Sequence, residues 1–89
     1  MSERYDVIAT VKSVTGECAL EHHVGQKFRL GAKTPAGMCP SAYHAIFPSV
    51  RVLQFGGAFP WSTDPDCTEI ACPDGENPVV FELRRVLAE

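Results

Sequence analysis

A cysteine, a proline and a histidine stand close together in Met38-Cys39-Pro40-Ser41-Ala42-Tyr43-His44. Thiolate sulfur and imidazole nitrogen both bind zinc and iron, and a thiolate is also a nucleophile. Two unlike chemistries, a metal half-site and an activated thiol, therefore start from the same residues. A second cysteine/histidine pair lies in Cys18-Ala19-Leu20-Glu21-His22-His23, and a second Cys-Pro in Cys72-Pro73-Asp74-Gly75.

For a metal, Cys18 with His22 is C-x3-H, Cys39 with His44 is C-x4-H, and Cys72 adds a third thiolate from the C-terminal region. Four of these five groups suffice for a tetrahedral zinc or iron site. No C-x-x-C exists in the chain, so the spacing is not that of the common zinc modules. The competing chemistry begins at a helix N-terminus, where free N–H groups and the helix dipole stabilise an anion, here a Cys39 thiolate. Its base is His44, or else His22 or His23 arriving from a loop. A side chain five residues beyond an N-cap points to a different azimuth, which weakens direct Cys39–His44 contact. Against both stands the plain alternative, in which cysteines fill core gaps as small hydrophobes and histidines hydrogen-bond locally.

The remaining polar residues are less specific. Asp64, Asp66, Asp74 and Glu76 have no spacing that forces a shared site and read as solvated loop positions. Gly56-Gly57 lacks the spaced glycines and the basic residue of a phosphate loop, and reads as a turn. Trp61 and Phe59 either line a ligand pocket or pack in the core or at a subunit interface.

Elements must hold these groups. Tyr5, Val7, Ala9 and Val11 alternate with Asp6, Ile8, Thr10 and Lys12, which predicts a strand buried on one face and ended by Gly16. Cys18 to Val24 is a compact connection before a turn at Gly25, and Lys27-Phe28-Arg29-Leu30 is a second strand. Residues 31–37 are rich in turn formers and read as an exposed loop. Pro40 suits the first position of a helix and makes Cys39 its N-cap. Ala42, Ala45, Ile46, Ser49, Val50 and Leu53 recur at three and four, laying one helical face on a sheet. Pro48 predicts a kink or two short helices, and Val50 to Phe55 also admits an extended conformation. Phe59-Pro60-Trp61 forms an aromatic corner, Thr68 to Cys72 a short strand, and Pro78 to Val86 a closing strand that pairs with it as a hairpin. The expectation is an α+β domain with a small antiparallel or mixed sheet, barrel-like if it curls, and one kinked helix or two short ones.

With 89 residues, 45% of them hydrophobic and 21% charged, the chain suits a single domain over 1–89 that folds on its own apolar burial. Eight Lys and Arg against eleven Asp and Glu leave a net charge of −3, and no basic stripe interleaves with aromatics. Nucleic acid is not the expected partner. No apolar run is long enough to cross a bilayer and no signal-like start is seen, so the expectation is a cytoplasmic protein without a membrane partner. Thiols there stay reduced, which favours ligands, reactive groups or buried thiols over a Cys67–Cys72 disulfide.

Taken together, Gly16-Glu17-Cys18, His22, Val24-Gly25 and Phe28, then Gly37-Met38-Cys39-Pro40, Ala42 and His44, then Leu53-Gln54-Phe55-Gly56-Gly57 and Phe59-Pro60-Trp61, and last Ala71-Cys72-Pro73-Asp74 with Asn77-Pro78-Val79-Val80-Phe81-Glu82-Leu83 form a pattern. In it the chain resembles, over nearly its whole length, a family of short bacterial and archaeal proteins of uncharacterised activity. The resemblance carries Cys18, His22, Cys39, His44 and Cys72, but not Cys67 or His23. Glu21-His22-His23 stands where those proteins often show Gly-His-Lys, and Gln26 where an acidic residue is common. The expectation is a Cys/His site for zinc or iron. The alternatives are a metal-free thiol enzyme or redox protein using Cys39, and a non-catalytic homo-oligomeric interaction module that buries Trp61 and Phe59 against a neighbour. No small-molecule ligand is specified.

Overall fold

Strand β1 (Tyr5–Val14) is a central strand of the sheet in the computed structural model, which describes residues 5–16 and 22–88. Val7, Ala9 and Val11 are fully buried on one face of it, as alternation at a period of two requires. Strands β2 (Lys27–Leu30) and β4 (Val79–Leu87) flank β1, and β3 (Cys67–Ala71) pairs with β4, giving the order β2-β1-β4-β3. All three pairings are antiparallel. The sheet is open, with β2 and β3 as edges. Four strands, one of them only four residues long, do not supply the ladder that a closed barrel needs.

One face of the sheet is covered by helix α1 (Pro40–Gln54). Ala42, Ile46, Val50 and Leu53 recur at three and four and are all buried, together with Phe28, Leu30, Phe81 and Leu83 from the sheet. The helix is single and runs through Pro48, so neither a break into two helices nor an extended stretch after Val50 is present. The proline costs little because it lies on the exposed side, one turn beyond exposed His44, whose carbonyl is the acceptor that the missing N–H leaves.

Buried polar side chains fix the C-terminal end of α1. Gln54, 7% exposed, donates from Nε2 to the carbonyls of Leu30 (3.2 Å) and Gly31 (3.1 Å) at the end of β2. Its Oε1 accepts from Arg51 (3.0 Å), so the amide is satisfied at both ends. Arg85 of β4 donates from one guanidinium nitrogen to the carbonyls of Leu53 (3.2 Å) and Gly57 (2.9 Å), and from another to the carbonyl of Pro65 (3.0 Å). It also pairs with Asp66 (2.8 Å) and lies over the Tyr5 ring. A planar fork of donors can tie a helix end and two loops to a strand at once.

Among the described residues, no helix covers the opposite face of the sheet. It carries ion pairs instead: Arg29 with Asp6, Arg84 with Asp64 and Glu82, and Lys12 with Glu69. Among the described residues no helix is long and apolar enough to cross a membrane.

The Arg85 fork yields a direct expectation. Arg85→Leu leaves several carbonyls without a donor and lowers the free energy of urea unfolding by about 2–3 kcal/mol. Arg84→Leu, one residue along on the solvated face, lowers it far less, and equal losses would contradict the role given to Arg85.

Candidate functional site

The chain turns between β1 and β2 at His23-Val24-Gly25-Gln26, where Gln26 N–H donates to the His23 carbonyl (3.0 Å). Gly25 takes a φ of 90° there, the left-handed region a glycine occupies without strain. This turn delivers His22 into the core. The imidazole is 5% exposed and meets the rings of Phe28 (5.5 Å) and Phe81 (6.0 Å) edge to face.

The ring nitrogens of His22 have different partners. The backbone N–H of Cys39 lies 3.1 Å from Nε2, and an amide nitrogen can only donate, so Nε2 is the acceptor. In the neutral imidazole Nδ1 then carries the proton and donates to Gln26 Oε1 at 3.0 Å. Gln26 Oε1 also takes the His23 N–H (3.3 Å), which locks the turn and the imidazole together. His22 thus joins the loop before β2 to the N-cap residue of the helix.

Cys39 sits at the N-cap with Pro40 behind it, as the sequence predicts. Its carbonyl accepts the Tyr43 N–H (2.9 Å) and starts the helical ladder, while its thiol makes no capping hydrogen bond. The side chain is half-buried against the core. At the far end of β3, Asp74 Oδ1 accepts the N–H groups of Glu76 and Asn77 (3.0 Å each) and closes the turn into β4. Cys72 consequently faces Val79: its N–H donates to the Val79 carbonyl (2.8 Å), and its sulfur accepts the Val79 N–H (3.2 Å). Cys72 continues the core-facing row of Thr68 and Ile70 and is half-buried.

His22, Cys39 and Cys72 therefore lie at one end of the domain, because Gln54 and Arg85 hold the other end of α1 roughly 22 Å away. Among the described residues, however, no group of three or more His, Cys, Asp or Glu side chains is close enough to hold a metal. Cys18 lies outside the described residues, two positions after Gly16 and four before His22. At Gly16, with φ 75°, any side chain would meet Asn77, so the ends of β1 and of the β3–β4 turn approach closely here. His44 is exposed, about 200° around the helix from buried Ala42, and the structure does not bring it to the thiols. His23 is exposed as well.

Cys39, Cys67 and Cys72 are free thiols. Cys67 begins β3, and five residues of extended chain put it about 16 Å from Cys72. Burial, followed by the nearby Glu82 carboxylate, pushes the Cys67 thiol up from its ordinary value. Sequence reasoning missed the Cys39–His22 contact. The available signal was the pairing of an N-terminal helix proline with a histidine just before a strand, which says nothing of which nitrogen is used.

No family model, no curated protein and no solved structure matches the chain.

The geometry of His22 makes two expectations. A long-range ¹H–¹⁵N correlation spectrum shows His22 protonated at Nδ1 and bare at Nε2, and the reverse pattern would overturn the assignment. His22→Phe keeps the ring contacts but strands the Cys39 N–H, costing about 1–2 kcal/mol in urea unfolding, whereas His44→Ala is close to neutral. For Cys67, the pH midpoint of iodoacetamide labelling lies above that of a free thiol, and Glu82→Gln moves it down.

Proposed function

We propose that the protein binds one transition-metal ion, zinc or iron, through the thiolates of Cys18, Cys39 and Cys72. The observation that carries the reading is that Cys39 and Cys72, from the helix start and the end of β3, are half-buried at the same end of the domain as His22, four residues after Cys18. Sulfur donors suit zinc and iron, and three of them from three segments would hold loop, helix and hairpin together.

The surroundings fit such a donor set. An N–H directed at sulfur, as Val79 directs its own at Cys72, is the outer contact that orients a ligating thiolate. His22 in this reading is a brace and not a ligand, since its Nε2 is engaged by the Cys39 amide. A fourth position filled by water or substrate makes the centre catalytic. His22, released from that amide, would close it as a structural one. His44 and Cys67 stand outside the set because of the helix azimuth and the length of β3.

The test is elemental analysis of protein purified without added metal, combined with thiol titration before and after chelation. About one ion per chain is expected, shielding three of the four thiols until the chelator is added. Cys18→Ser, Cys39→Ser and Cys72→Ser each lose the ion, while Cys67→Ser and His44→Ala keep it. His22→Ala retains binding weakened about 10–100-fold. Metal-free protein with one thiol alkylated far faster than the rest would overturn the proposal in favour of a Cys39 nucleophile. So would full metal content in all three serine variants.

A further inference from the structure

At the arginine-rich end of the domain, away from Cys39 and Cys72, the loop after α1 and the start of β3 form an open cleft of about 330 Å³ that Cys67 helps to line. This is the low end of the range for small-molecule sites and matches a single ring-sized ligand. It is lined by Trp61, the chain's one tryptophan, which remains 69% exposed although it is held in place. Phe59 stacks behind the indole at 4.9 Å and 30°, and the indole N–H donates to Thr68 Oγ1 (3.3 Å). One flat aromatic face is thereby fixed and left bare to the cleft.

The charge around that face decides what it would take. Asp64 and Glu69 line the cleft, and among the described residues no lysine or arginine does. Both carboxylates are nevertheless paired from outside the cleft: Asp64 with Arg84 (3.1 Å) and Glu69 with Lys12. A cationic ligand would have to compete with those bases, and a phosphate-bearing ligand finds no base on the lining. What remains is a flat apolar platform ringed by carboxylate and hydroxyl oxygens, with Ser62 and Thr63 beside them. A neutral ring with an apolar C–H face and several hydroxyl donors complements both features.

We propose that this cleft binds the ring of a neutral carbohydrate, stacked on Trp61 and donating its hydroxyls to Asp64 and Glu69. The proposal is independent of the metal reading, since it uses none of the same residues.

Because Trp61 is the chain's only tryptophan, emission excited selectively in the indole, beyond tyrosine absorption, reports on the cleft. The probes are glucose, galactose, mannose and N-acetylglucosamine, with tetramethylammonium chloride as the cation control. At least one sugar is expected to shift the emission saturably with a millimolar Kd, and Asp64→Ala to raise that Kd by about tenfold or more. Trp61→Ala, followed by the amide NMR shifts of Thr68 and Glu69, abolishes the response while the far-UV spectrum keeps its folded form. No saturable shift from any of the four sugars up to about 100 mM would overturn the proposal. A response to tetramethylammonium alone would overturn it equally, in favour of a cation site.

Discussion

The imidazole of His22 is the constraint on which the thiol end of the molecule depends. It is buried between two aromatic rings, where an unsatisfied nitrogen would be costly, and both of its nitrogens are satisfied by groups from different segments. One is the side chain of the turn that opens β2. The other is the backbone amide of Cys39, the N-cap of the helix. Through this one ring the start of α1 is registered against the sheet, so a backbone hydrogen bond helps to set the position of the Cys39 thiol, which makes no capping hydrogen bond of its own.

A comparable device works at the other end of the helix. Gln54 and Arg85 satisfy carbonyls that α1, β2 and the following loops would otherwise leave open, and they do so from inside or beside the core. The helix is thereby pinned at both ends by polar groups and along its length by apolar ones. The two ends then differ in chemistry. The His22 end holds Cys39 and Cys72, whereas the Arg85 end gathers guanidinium groups, loop carboxylates, Cys67 and the fixed indole of Trp61.

The strands and the helix start were legible because their signals are local. Alternation in Tyr5–Val11 follows from the pleat, and Pro40 after Cys39 marks a first turn that needs no N–H there. The length of the helix was less legible, because the effect of Pro48 depends on whether the carbonyl it strands faces solvent, a tertiary fact. Of the site residues, Cys39 and Cys72 could be read to a helix start and a hairpin. The outward direction of His44 could be read from the three-and-four spacing of Ala42, Ile46, Val50 and Leu53, which places it off the buried face. Gln26, Gln54 and Arg85 were not legible at all, since a polar side chain gives no sequence sign of the carbonyl or ring nitrogen that it will satisfy.

In the proposed reading Cys18, Cys39 and Cys72 are the ligand set and His22 is its brace. X-ray absorption at the metal edge of the protein as purified tests that assignment most directly, because it reads the atoms around the ion without altering a residue. The account predicts a coordination shell dominated by three sulfur atoms, at about 2.3 Å if the ion is zinc. Protein with no zinc or iron edge, or an ion surrounded by nitrogen and oxygen alone, would contradict it.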